Sequence, residues 1–476
     1  MTKLVDFMTN PETEKKGHLF SIIWISCLFL IGLLGWGLFL NFGNIPFNFH
    51  DWAEINAPRL AFLKDAVMKN VLPLHMPDSS ALRGVTDRYF ALPDVIFSPQ
   101  IILLKWLSVG KFILVHIWIL YGIGFLGLLR IKKYYSLSLL NFSWIFFLFF
   151  FNGHLLSHIS VGHCTWGGNF LFPWFIYLVI LLLDDKQGWK WVAQMSFLLF
   201  FIFLQGSFHQ YIWCIIFLGF LAISNFKTFW TIIKTGFFTV LISAFRIIPP
   251  AIQTNAFDDE FLGGYRTPVQ LIRAFIKIIS PADSLNPSVT GATLGWWEFD
   301  TYIGLIGMFF FLGGSLLWII QHNRKAGFPQ LICPLAVLSI FSIRGIYQFF
   351  RKIPIPIFSG ERVSARFLIL PVSFLIILAA VSWQQFALSR KHSKTFSFAS
   401  LIFLIGTIYQ LWNNLNIWKV TESVKAFPVT PTNLSIKIVS NHADPVYIKG
   451  LMVGMVITLL SSGILLFLAL RKSNQN

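Results

Sequence analysis

Charge is scarce in this sequence. Charged residues make up 12% of 476, against about a quarter in soluble domains, while 56% are hydrophobic and the mean hydropathy is +0.69. That scarcity excludes an ordinary soluble chain. Acids are scarcer than bases, 20 against 37, giving a formal net charge of +17. In a soluble protein such a surplus would point to nucleic acid. Here the charges lie in short loops between apolar runs, where they orient a chain in a membrane, and no nucleic-acid partner is expected. Cysteine is sparse too: Cys27, Cys164, Cys214 and Cys333 form no CxxC pair and support neither a disulfide framework nor a zinc site. There is no repeat at a fixed period and no segment large enough for a separate soluble domain, so residues 1–476 read as one integral membrane domain.

Apolar runs are abundant. They occur near residues 19–40, 111–129, 136–152, 169–183, 190–204, 208–224, 229–247, 301–320, 329–343, 366–388, 397–412 and 449–470. At about 20 residues per span, the expectation is an all-α polytopic protein with about twelve transmembrane helices. The first run is long, starts well inside the chain and lacks a small-x-small cleavage site, so it reads as a span rather than a signal peptide. With the N-terminus inside, the inner segments hold 17 Lys and Arg against 5 acids, and the outer ones 20 against 15 over far more chain. The bias places both termini in the cytoplasm. Long segments 41–110, 248–300 and 413–448 then face outward, joined by the shorter 344–365. The composition and topology suggest a bacterial inner membrane.

The first outer segment opens with Asp51 directly after a span, followed by Glu54. Residues 54–70 read as an amphipathic helix lying along the interface, with Arg59, Lys64, Asp65 and Lys69 off its apolar face. Next come LPLH (Leu72–His75), LRGVTDRYFALPD (Leu82–Asp94, containing Arg88) and SPQ (Ser98–Gln100). A carboxylate at that depth suits a general base between a lipid-linked substrate and a polar acceptor; it equally suits a helix cap. His154, His158 and His163 occur in NGHLLSHISVGH. His154 and His158 are four apart and could share a helical face as zinc ligands do, line a phosphate-facing rim, or sit at the interface. Arg344, Arg351, Lys352, Arg362 and Arg366 run against the orientation bias. Arg362 and Arg366, four apart, would point the same way on a helix, either to a phosphate or snorkelling to headgroups. Trp297 and Glu298 offer an aromatic face beside a carboxylate for a sugar ring, or an interfacial belt. Asp258, Asp259 and Glu260 read mainly as a solvated loop face, with a cation as the other reading.

In order along the chain, these pieces resemble the GT-C superfamily, polytopic glycosyltransferases that use polyprenyl-phosphate sugars. The span, the immediate Asp51, the interfacial helix, LPLH and SPQ are followed by NGHLLSHISVGH, GWWEFDTYIGLIGM (Gly295–Met308) and ERVSARF (Glu361–Phe367). The resemblance implies a GT-C-like fold and a polyprenyl-phosphate sugar donor. It also implies inverting transfer on the external face with Asp51 as the catalytic acid residue of the first external loop. Glu54, Arg88, His154, His158, His163, Trp297, Glu298, Arg362 and Arg366 would bind substrate. The first loop has no DxD, its nearest second acid being Glu54, so no metal ligand is assigned and a divalent cation is left open as cofactor. Two other roles stay in view: a non-catalytic scaffold or accessory subunit with protein partners in a membrane complex, and a lipid or solute transporter. Membrane lipids are partners in every case.

Overall fold

The computed structural model describes residues 8–9, 11, 17–77, 86–252, 260–292, 294–321, 329–353, 361–389, 393–428 and 442–471. Among these the chain is all helical, with isolated β-bridges and no strand. Seven helices are long and apolar enough to cross a membrane: His18–Phe39, Val109–Tyr135, Leu139–Ser160, Cys164–Leu183, Ser364–Leu388, Thr395–Trp418 and Pro445–Arg471. An eighth span results if Phe208–Ser224 and Phe226–Ile242, bent by 117° at Asn225, count as one. These are the features of an integral membrane protein. The other apolar runs are helical as well, but Trp189–Leu204, Gly304–Ile320 and Pro329–Phe341 are shorter. At about 1.5 Å per residue, 16 residues reach about 24 Å, less than the roughly 30 Å hydrocarbon core.

Local chemistry sets the helix ends. Ser108 accepts a hydrogen bond from the Lys111 N–H and so opens Val109–Tyr135, and Lys132 and Lys133 sit in its last turn, where a helix favours cations. Ser138 caps Leu139–Phe150, every residue of which is buried. Asn152 then accepts from the Leu155 N–H and starts the short helix Gly153–Ser160. The centre of the protein is therefore the span Leu139–Ser160, re-aimed at Asn152 on its way to the histidines. The helices Thr395–Trp418 and Pro445–Arg471 instead leave long apolar faces outward, including Ile405, Tyr409, Leu459 and Phe467.

The segment after the first span differs from the sequence expectation. A single turn of π-helix, Trp52–Asn56, runs into the α-helix Ala57–Lys69. Ala57 to Leu63 and Ala66 are all buried, Arg59 included, so the first two turns of this helix are packed into the protein on every face, while Met68, Val71 and Leu72 at and beyond its end are exposed. Arg59 is buried because Asp94 lies 3.3 Å away. Arg246, also buried, donates through Nη2 to the carbonyls of Leu92, Pro93 and Val95 and holds the same loop from beneath. SPQ opens a 3-10 helix, Pro99–Lys105.

Close backbone approach fixes the helix Val109–Tyr135 against its neighbours. A Cβ on Gly124 would lie 2.3 Å from the Phe170 carbonyl oxygen, whereas a Cβ on Gly122 would meet only Phe29, at 4.0 Å. Gly124→Ala should cost about 1–3 kcal/mol through overpacking, while Gly122→Ala, with better helix propensity and no clash, should be neutral or stabilising. Thermal unfolding of the two variants in detergent checks this; equal midpoints would contradict the packing.

Candidate active site

Asp51 is placed by stitching two distant segments together. His50 has a left-handed backbone (φ +39°) that turns the chain out of the extended stretch before it. The Trp52 indole N–H donates to the Ser160 carbonyl at 2.9 Å, and Asn56 donates to the carbonyls of Asp51 and Gly162. Gly162 (φ +103°) comes so close that a Cβ there would sit 2.5 Å from the Trp52 nitrogen; only glycine combines that backbone with that approach. His163, the next residue, thereby brings Nε2 to 3.0 Å from Asp51 Oδ2, and His50 Nδ1 lies 3.4 Å from Oδ1. Asp51 stands at the cap position of the following turn but makes no capping hydrogen bond; its carboxylate instead faces His163. Its side chain keeps 23% exposure. Burial lowers the pKa of His50, and the neighbouring Asp51 charge works against that shift.

The histidines form a relay inward from Asp51. His163 Nδ1 is 2.7 Å from His158 Nδ1, and the His158 ring stacks on Trp166 at 4.5 Å. His154 lies behind, its Nε2 accepting from the Trp166 indole N–H at 3.0 Å. His154 and His158 do share a helix face, with rings 4.5 Å apart. The residues whose ligand atoms converge within 4.8 Å, however, are His158, His163 and Glu298. Two nitrogens 2.7 Å apart are a hydrogen bond, whereas tetrahedral zinc with ligands at about 2.0–2.1 Å would hold them roughly 3.3 Å apart. Glu298 is also occupied: it accepts from Arg366 Nε at 2.6 Å and Nη2 at 2.8 Å. The set would fit a divalent ion only after Arg366 released Glu298.

Arg366 is the hub of a buried charge network rather than a cation awaiting a phosphate. Besides Glu298 it reaches Glu361, 3.4 Å from Nη1, and its guanidinium lies over the Trp166 ring at 4.9 Å. Glu361 in turn accepts from Trp213 Nε1 and pairs with His209 Nδ1, each at 3.0 Å. Burial opposes ionisation of Glu361, yet His209, Arg366 and Trp213 outweigh it and hold its carboxyl at about 2. Arg362 does not share a face with Arg366. Residues 364–368 form a 3-10 turn preceded by extended Val363, and the Arg362 backbone carbonyl pairs instead with Leu262 and Gly263.

The structure thus gathers Asp51, His154, His158, His163, Trp297, Glu298 and Arg366. Trp297 packs edge-on against His50 at 4.8 Å and Phe427 at 5.4 Å, forming a wall beside Asp51, while Glu298 is spent on Arg366. Glu54 is exposed at the rim, where its charge reaches His50. Arg88 belongs elsewhere: it is bound to Asp444. Asp258 and Asp259 lie outside the described residues. His50, Trp166, His209, Trp213 and Phe427 join the site without having been singled out for it, and Glu361 stood out in the sequence only as the lone acid of a basic segment.

A cavity of about 860 Å³ runs along the helices Val109–Tyr135, Phe172–Leu183 and Trp189–Leu204. Its walls are almost wholly apolar, with Arg130 and Lys190 toward one end and Gln100 and Gln205 toward the other. Leu171, in its wall, ends the 3-10 segment that carries Trp166, and Gln205 lies four residues before His209. No protein-family model, curated protein or solved structure matches the chain.

Asp300, buried beside this site, gives the site a pH signature. Burial pushes its carboxyl up to about 7, against a hydrogen bond from the Tyr302 N–H at 2.8 Å. Its Oδ2 is buried with no hydrogen-bond partner among the described residues. An unfolded aspartate titrates near ~3.9. The folded state therefore binds the extra proton between about pH 4 and 7, and the stability it contributes falls as pH rises through that window, by roughly 1.4 kcal/mol per unit. Asp300→Asn mimics the protonated form. Its melting temperature relative to wild type should rise from pH 5 to pH 8; a difference independent of pH would contradict the burial-driven shift.

Proposed function

We propose that this chain is an inverting membrane glycosyltransferase of the GT-C type, moving a sugar from a polyprenyl-phosphate donor to an acceptor on the external face of a bacterial inner membrane. The observation that carries the reading is the Asp51 carboxylate: it lies in the segment after the first membrane helix, His18–Phe39, has His163 Nε2 at 3.0 Å while the neighbouring His50 Nδ1 is bonded to the Val161 carbonyl, and stays partly open near Trp297. In this reading the chain crosses the membrane about twelve times, the shorter helices included, with both termini in the cytoplasm. The polyprenyl tail occupies the apolar cavity, whose outer end adjoins the Trp166 segment and His209.

Asp51 takes the proton of the acceptor hydroxyl. The acceptor oxygen bonds to the anomeric carbon as the bond to the phosphate oxygen breaks, configuration inverts, and polyprenyl phosphate leaves with the electron pair. His163 holds the carboxylate, and His158, hydrogen-bonded to His163, holds the ring of His163 in turn; the proton stays on Asp51 until it is released to water. Trp297 offers a stacking face for the sugar. Arg362 is the arginine assigned to the leaving phosphate, where donors set in advance stabilise developing charge; Arg366, committed to two carboxylates, positions Trp166 and Glu298 instead. Should the reaction use a divalent cation, His158, His163 and Glu298 are the ligands that would hold it. A second reading, a non-catalytic scaffold or accessory subunit on the same architecture, is favoured by the complete pairing of Arg366. The transporter reading has no comparable support.

The purified protein is to be supplied with a panel of polyprenyl-phosphate sugars and acceptors, wild type beside Asp51→Asn. Loss of a general base should lower transfer by about 10²–10⁴-fold with the melting temperature unchanged. Transfer by the variant at the wild-type rate would remove Asp51 from the reaction, and no transfer by wild type with any donor would favour the scaffold.

A further inference from the structure

A second cluster of ligand-type side chains lies at the outer surface, apart from Asp51. His75 and Asp87 come from the first external segment and His442 from the last, and one ligand atom of each lies within 4.8 Å of the others. His442 Nε2 is 3.4 Å from Asp87 Oδ2, and the His75 and His442 rings are 3.9 Å apart, centre to centre. A spacing near 3.4 Å is the edge of a tetrahedron whose centre is about 2.0–2.1 Å from each corner, the distance of zinc from imidazole nitrogen and carboxylate oxygen.

Backbone and tyrosine hydrogen bonds frame these residues. The Met76 N–H donates to the Asp87 carbonyl at 2.8 Å, and the Tyr89 N–H to the Leu74 carbonyl at 2.9 Å, which fixes His75 against Asp87. The Tyr447 hydroxyl accepts from the Phe90 N–H at 3.0 Å and donates to the Leu74 carbonyl at 3.2 Å, anchoring the segment that carries His442 to the same loop. Asp444 completes the arrangement. Its Oδ2 lies 3.3 Å from His75 Nε2, and Arg88 holds the carboxylate at 2.6 Å and 3.0 Å. When Nε2–H of neutral His75 donates to Asp444, the lone pair of that ring resides on Nδ1. A carboxylate behind an imidazole in this way orients zinc-binding histidines and raises their basicity.

We propose that His75, Asp87 and His442 bind one Zn²⁺ ion, with Asp444 orienting His75 and the fourth position left to water. Two imidazoles and one carboxylate favour zinc over the oxygen-seeking Mg²⁺ and Ca²⁺. Asp87 brings one negative charge directly to the ion, while the charge of Asp444 is already offset by its bidentate pair with Arg88. The ion staples the first external segment to the last across more than 350 residues of sequence, and the proposal stands whether or not the protein is a transferase.

The test uses the full-length protein in detergent, freed of any affinity tag and stripped with chelator. Zinc content after re-addition and gel filtration should be one ion per chain, and Zn²⁺ but not Mg²⁺ should raise the melting temperature, since an ion bound only by the folded state stabilises it. His442→Ala and Asp87→Asn alter exposed side chains (58% and 39% accessible) and should keep the metal-free melting temperature. Both should lose the bound zinc and its thermal shift. Absence of zinc from wild type, or zinc retained by His442→Ala, overturns the proposal; so does zinc lost on His163→Ala but kept in His442→Ala, which would move the ion to the Asp51 site.

Discussion

The architecture around the candidate site depends on one buried ion pair, Arg366 between Glu298 and Glu361. A charge removed from water carries a penalty of several kcal/mol unless partners and hydrogen bonds compensate it. Here two carboxylates, an indole ring under the guanidinium, an indole N–H and an imidazole all contribute. The pair closes the segment before the helix Gly304–Ile320 onto the segment that opens the span Ser364–Leu388, and Glu361 extends the link to Trp213 and His209 on the helix Phe208–Ser224. Taking Arg366 away would leave two carboxylates buried without their cation, a change that in buried pairs costs about 3–5 kcal/mol. The arginine is therefore a structural centre, and the partly exposed carboxylate of the cluster is Asp51, connected to it through His163, His158 and Trp166.

That division explains the character of the site. Groups that titrate within it are held in contrasting states by their surroundings. Glu361 is kept ionised by cations and donors, while Asp300, with the Tyr302 N–H as donor and no cation on it among the described residues, is pushed toward the neutral form. Asp51 is partly exposed, with His163 Nε2 3.0 Å from its carboxylate. The same histidines that orient it connect it to Trp166, and Trp166 connects it to the arginine hub.

The membrane character of the chain was legible in its composition, and every apolar run became helix. Which runs cross the membrane was less legible, because a run such as Trp189–Leu204 is as hydrophobic as a span but too short on its own. Asp51, the histidine series and Trp297 were legible because each is a polar or aromatic group placed just beyond an apolar run. Arg362 and Arg366 were misread for a definite reason: spacing by four implies a common face only on an α-helix, and this stretch is extended and then 3-10. Arg59 was placed on an exposed face because its partner, Asp94, lies 35 residues on. The Glu298–Arg366 pair, 68 residues apart, leaves no local pattern at all.

The proposed function requires the apolar cavity to take a polyprenyl tail and the partly open Asp51 carboxylate to meet its head group. The central claim is that a polyprenyl phosphate lies along that cavity with its head group at Asp51. Photo-crosslinking with a polyprenyl phosphate carrying a photoreactive group near the phosphate, followed by peptide mapping, tests it most directly. Labelling concentrated on residues 50–54, 162–166 and 205–209, and competed by unmodified polyprenyl phosphate, is the predicted result. Labelling spread over the outer lipid-facing helices Thr395–Trp418 and Pro445–Arg471, or not competed by the unmodified lipid, would contradict the account.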